Sequence, residues 1–122
     1  MEARKPARNF RDLEIWQLGK QIALEVYRAT KTFPSDERFE LVAQMRSAAI
    51  SIPSNIAEGF NRYHNKEYRQ FLFVSLGSCG ELETQVEISG DLGFLSDDTR
   101  CHLTGTIAQE SRMIRSLIGR LT

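Results

Sequence analysis

A chain of 122 residues, 41% hydrophobic and 26% charged, is long enough for one domain that buries roughly two thirds of its unfolded surface, and this composition excludes disorder. Its basic and acidic side chains cancel to a net charge of zero, so it is not a basic protein overall. No apolar run reaches the ~20 residues of a membrane span, and the start MEARKPARNFRD lacks the apolar region of a signal peptide, which makes the cytoplasm the expected location.

Residues 1–11 are polar and basic, contain Pro6, and read as a mobile arm. Asp12 is placed to cap a first helix over about 12–31. Its apolar positions Leu13, Ile15, Trp16, Leu18, Ile22, Ala23, Val26 and Tyr27 cover a face wider than one packing partner requires. Thr32-Phe33-Pro34-Ser35 ends it, because the residue before a proline avoids helical geometry. Ser35 is the expected cap of a second helix over about 36–61, with Asp36 and Glu37 against its positive end.

That second helix carries Val42, Met45, Ala49, Ile52, Ile56 and Phe60 at helical spacing, with Pro53 in the middle of the run. An interior proline removes a backbone donor and crowds the carbonyl four residues back, at about 3 kcal/mol in an ordinary helix. The small or hydrogen-bonding neighbours Ala48, Ser51, Ser54, Asn55 and Ala57 permit close helix approach and can satisfy backbone groups. Gly59 reads as a packing or terminating glycine, since no GxGxxG or GxxxxGK pattern surrounds it.

In a third helix over about 65–92, Tyr68, Leu72, Ser75, Cys79, Leu82 and Val86 recur at alternating spacings of four and three, the seam of a helical bundle. Gly77 and Gly80 inside it are expected to serve close helix contact. Gly93 stops this helix, and Ser96 with Asp97 and Asp98 starts a fourth over about 97–120, with Leu103, Ile107, Ile114, Leu117 and Leu121 on one face. No segment has strand periodicity. Four long helices joined by short loops predict an all-α protein, an up-down-up-down antiparallel four-helix bundle.

Chemistry is sparse on this frame. Cys79 and Cys101 fall at heights about 12 Å apart on neighbouring helices, too far for a disulfide, so both are expected as free thiols. His64 and His102 lack ligand partners at metal-site spacing and read as surface or helix-end residues. Di-metal carboxylate bundles need Glu-x-x-His pairs, and neither histidine has a glutamate three positions before it. Glu58 therefore reads as a buried hydrogen-bonding or ion-pairing partner, and Glu81 and Glu83 as surface or subunit-contact charges. The expectation is no enzyme, no cofactor and no metal.

The segments FRDLEIWQ (10–17), TFPSDERFELVAQMRSAAISIPSNIAEG (32–59), KEYRQFL (66–72) and GSCGELETQVEISGDLGFL (77–95) closely resemble the 23S rRNA intervening-sequence proteins. SIPSNIAEG (51–59) and ELETQ (81–85) are the most specific parts of that likeness. The family is also similar to the accessory proteins of diversity-generating retroelements, which bind nucleic acid and a reverse transcriptase as basic pentameric rings. The resemblance implies a four-helix bundle, a ring-shaped homo-oligomer with a pentamer favoured, and no established enzymatic activity. Two departures stand: Ser47 follows Arg46 where family sequences often carry a second basic residue, and this chain is neutral.

Charge is nevertheless polarised along the expected bundle. One end gathers Arg4, Lys5, Arg8, Arg11, Arg62, Lys66, Arg69, Arg112, Arg115 and Arg120 against six acidic residues, Glu2, Asp12, Glu14, Glu58, Glu67 and Glu110, a net +4; the other end is net −6. The ends lie ~30 Å or more apart, beyond the Debye length of about 8 Å, so a ligand senses each separately. Macrodipoles account for Arg112, Arg115 and Arg120 near a helix C-terminus, but not for Lys66 and Arg69 near an N-terminus. Those ten cations are the candidate nucleic-acid-binding set, with RNA or a nucleic-acid-processing protein as partner. Trp16, Ala49, Pro53, Ser54, Asn55, Glu58 and Gly59 form the candidate packing and assembly set. The alternative is a purely protein-protein scaffold that binds no nucleic acid.

Overall fold

The computed structural model describes residues 7–121, so the candidate cations Arg4 and Lys5 lie outside the described residues. Four helices follow in chain order: α1 Glu14–Thr30, α2 Leu41–Phe60, α3 Asn65–Asp91 and α4 Asp97–Arg120. Each packs against two neighbours around a square, α1 on α2, α2 on α3, α3 on α4 and α4 back on α1. Cross-helix contacts fix the directions. Arg46 reaches Thr30 at 2.9 Å while Gly19 lies against Ile52 and Pro53, so α1 and α2 run opposite. Ser89 meets Met45 at 3.3 Å, Ser75 meets the Ile52 carbonyl at 2.9 Å, and Gly59 abuts Tyr68 and Phe71, so α2 and α3 do the same. Arg100 with Glu87 at 3.1 Å and His102 with Glu25 at 2.6 Å bring α4 against α3 and α1. The architecture is the antiparallel four-helix bundle.

The core forms where helical spacing aligns apolar residues. Ile22, Met45, Ile52, Ile56, Leu72, Leu82, Leu103, Ile107 and Ile114 are all fully buried. The expected α3 seam is real, with Leu72, Ser75, Cys79, Leu82 and Val86 sealed from solvent. Phe33 and Phe94, with ring centroids 5.4 Å apart, close the end that carries the acidic residues. Gly93 takes φ +81, a conformation open to glycine, and turns the chain into α4. The Ser96 hydroxyl caps that helix by accepting from the Thr99 amide at 3.1 Å.

Several local expectations are corrected. Asp12 does not cap α1. Its carboxylate accepts from the Arg8 and Asn9 amides at 3.2 Å and closes a short 3-10 turn, Phe10–Asp12, at the end of the segment expected as an arm; Leu13 then precedes α1. Ser35 does not start α2 either. Ser35–Glu37 form a second 3-10 turn and the helix begins at Leu41, because the chain first carries Phe33 inward across the bundle end. Gly77 and Gly80 make no close helix contact: a methyl group added at either would meet nothing within 4 Å. They lie on the outward face of α3, opposite its seam.

Pro53 does not break α2, which continues to Phe60. Flanking carbonyls are clamped by side chains instead. Ser75 donates to the Ile52 carbonyl at 2.9 Å, Asn55 donates to the Ser51 carbonyl at 2.8 Å, and the Ser51 and Ser78 hydroxyls pair at 2.7 Å. The serine hydroxyls thus bind α2 to α3 beside the proline, while Asn55 satisfies a carbonyl within α2.

Candidate nucleic-acid interface and assembly surface

Antiparallel packing places the start of α1, the end of α2, the start of α3 and the end of α4 at one end of the bundle. Arg8, Arg11, Arg62, Lys66, Arg69, Arg112, Arg115 and Arg120 stand there, all exposed. Arg62 has the most defined setting: it pairs with Glu58 at 3.1 Å and lies 4.8 Å over the Phe71 ring. Glu58 is therefore a surface partner and not a buried one, its side chain 56% exposed. Arg8 and Arg120 line a cleft of about 930 Å³ between the Phe10–Asp12 turn and the end of α4, where Asp12 and Glu14 share the wall. The interface is a spread of separate cations on one end and not a single pocket.

One of the six opposing acids is not on that surface. Glu110 is fully buried, both carboxylate oxygens lack a hydrogen-bond partner among the described residues, and burial pushes its pKa from 4.5 up to about 8. It is predominantly neutral at pH 7, which leaves the basic end more positive than residue counting gives. Gly19 makes the space for it: a Cβ there would sit 2.8 Å from Glu110 Oε2. The signal was present in α4, where the step from Ile107 to Ile114 skips the register position that Glu110 fills.

The assembly set separates into three groups. Trp16, Pro53 and Ser54 line an open groove of about 450 Å³ between α1 and α2, walled also by Leu24, Tyr27 and Ile50. Ala49 is core, Asn55 donates back to the Ser51 carbonyl within α2, Gly59 faces α3, and Glu58 is on the surface. Leu24 and Ile50 belong to the groove and were missed, because each falls off its helix's core stripe and reads as an isolated exposed residue. Phe73 and Val74 are also exposed side by side on the outward face of α3, with Ile88 exposed about 20 Å further along the helix. Arg46 turns out to be structural: it donates to the Thr30 hydroxyl and, at 3.3 Å, to the Tyr27 carbonyl, holding the end of α1.

The two cysteines differ in setting. Burial pushes the Cys79 thiol up to about 12 against the lowering effect of a Ser111 hydrogen bond, and Cys101 is exposed and free. Among the described residues no three His, Cys, Asp or Glu side chains come together as metal ligands, and no helix is long and apolar enough to cross a membrane.

These features define a helical-bundle protein with a cationic end and an apolar flank. The chain belongs to the 23S rRNA-intervening sequence protein family, whose description matches residues 11–116. A solved structure from the S23 ribosomal protein family of Bacteroides thetaiotaomicron, a protein of unknown function, superposes with a TM-score of 0.80 at 15% identity, covering 86% of this chain and 95% of that one. That likeness extends to the fold. No curated protein matches the chain.

Proposed function

We propose that this protein is a non-enzymatic, self-assembling module that binds nucleic acid through the basic end of its bundle. The observation that carries the reading is the placement of eight exposed cations on one end, with Lys66 in the first turn of α3, where the helix dipole disfavours a cation by about 0.3 to 1 kcal/mol. Its position serves something other than the helix.

Self-assembly rests on the apolar surface. The α1–α2 groove and the exposed Phe73–Val74 pair of α3 are two different surfaces, and contacts between unlike surfaces on identical chains generate rings when the rotation closes. A ring of parallel subunits, five by family resemblance, brings the basic ends onto one face and multiplies phosphate contacts. The groove also supports a second reading, a scaffold whose partner is a protein and which binds no nucleic acid.

One experiment separates them. Fluorescent RNA and DNA are titrated across a salt series against wild type and the triple variant Arg62→Glu, Lys66→Glu, Arg69→Glu. A nucleic-acid module binds with affinity that falls steeply with salt, and the variant loses binding while sedimenting as wild type does. Absence of binding at low salt, or indifference to salt, leaves the scaffold.

A further inference from the structure

The loop from α2 to α3 holds an aromatic ring with no structural use. Tyr63 is 93% exposed, the most exposed large apolar side chain among the described residues. Among the described residues its ring contact is with the adjacent His64, centroids 4.8 Å apart and planes at 89°. That edge-to-face pair steadies the ring while leaving a broad π-face in water. A fold gains nothing from such a placement, since burying a ring of this size is worth about 1.5 to 3 kcal/mol.

The surroundings supply the second half of a binding surface. Arg62 precedes Tyr63, and Lys66 and Arg69 follow on the first turns of α3, all exposed. Arg62, one residue before the ring, pairs with Glu58 at 3.1 Å and lies 4.8 Å over the Phe71 ring. Cations that follow a phosphate backbone, interleaved with an aromatic face on which a base can stack, form the recurring surface for single-stranded nucleic acid. A duplex keeps its bases stacked inside and offers phosphates and groove edges, but no free base face for the ring to stack on.

We infer that Tyr63 is a base-stacking platform, and that the ligand of the basic end is single-stranded nucleic acid. The inference rests on the reading of that end as a nucleic-acid interface and specifies the strandedness and the contact. Arg62, Lys66 and Arg69 hold the phosphates on either side of the stacked nucleotide. Stacking is indifferent to base identity, so the surface selects single strands over duplexes and not one sequence over another.

The test is fluorescence anisotropy with labelled 15-nucleotide oligo(U), oligo(dT) and a mixed-sequence duplex of equal length. Wild type binds the single strands more tightly than the duplex. Tyr63→Ala weakens single-strand binding roughly 5- to 150-fold, the loss of one stacked base, without changing duplex affinity or the salt slope. Tyr63→Trp retains or strengthens it. The exposure of Tyr63 makes all these variants safe for folding, which circular dichroism verifies. Comparing oligo(U) with oligo(dT) separates RNA from DNA. If Tyr63→Ala binds single strands as wild type does while the triple charge reversal abolishes binding, the platform is refuted and the cationic interface stands. If wild type binds none of the three probes, both readings fall.

Discussion

Glu110 shows how a single side chain can set the pH response of a bundle. With the carboxyl raised from 4.5 to about 8 by burial, the folded state keeps a proton that the unfolded state releases above its ordinary pKa. Stability is therefore fully present below pH ~4.5 and falls by about 1.4 kcal/mol per pH unit as pH rises toward 8, beyond which it levels off. Glu110→Gln removes that dependence. In urea unfolding at pH 5 to 8 the variant is expected to lose the fall in stability that Glu110 contributes, and at pH 8 to exceed wild type by roughly 2 kcal/mol after allowing for the unpaired groups of the buried amide. A wild-type profile flat across that range would mean the carboxylate finds a compensating partner when ionised.

At the scale of the helices, the glycines divide by what surrounds them. A Cβ at Gly19 would meet Glu110 Oε2 at 2.8 Å and Ile52 Cγ2 at 3.2 Å, both fixed by burial, whereas one at Gly77 meets nothing. Gly19→Ala is expected to destabilise by about 1 to 3 kcal/mol despite its better helix propensity. Gly77→Ala is expected to stabilise by about 0.5 to 1 kcal/mol. Thermal unfolding of the pair measures both, and destabilisation at Gly77 would place it inside a subunit contact. The same contrast explains the legibility of the elements. Leu72, Cys79, Leu82 and Val86 announce a seam because periodicity is local, and Ser96 announces a cap because its bond reaches only three residues. The starts of α1 and α2 were misplaced because competing partners decide them: the Arg8 and Asn9 amides claim Asp12, and Phe94 draws Phe33 inward.

Across the whole molecule, charge and apolar surface are distributed on different faces, and the proposed assembly would join them. Leu24, 46% exposed on the α1–α2 groove, lies away from the cationic residues of the basic end. Leu24→Glu is expected to yield a smaller species in sedimentation velocity and, through lost multivalency, at least a tenfold weaker grip on long single strands. Unchanged sedimentation would remove the groove from the assembly.

Helix number, bundle class, the polarised charge and the unusual Pro53 segment were all readable from the chain, because each follows from spacing within one helix or from counting along it. Glu110 stands at a core position of the α4 stripe, but the diversion of Arg46 to the end of α1, the exposure of Glu58 and the joining of Trp16, Leu24, Ile50 and Pro53 into one groove were not readable there. Each depends on which residue of another helix stands opposite, and that is set by packing between elements far apart in the sequence. Local periodicity determines that there is a bundle; tertiary register decides which of its charges are charged and which of its apolar residues face water.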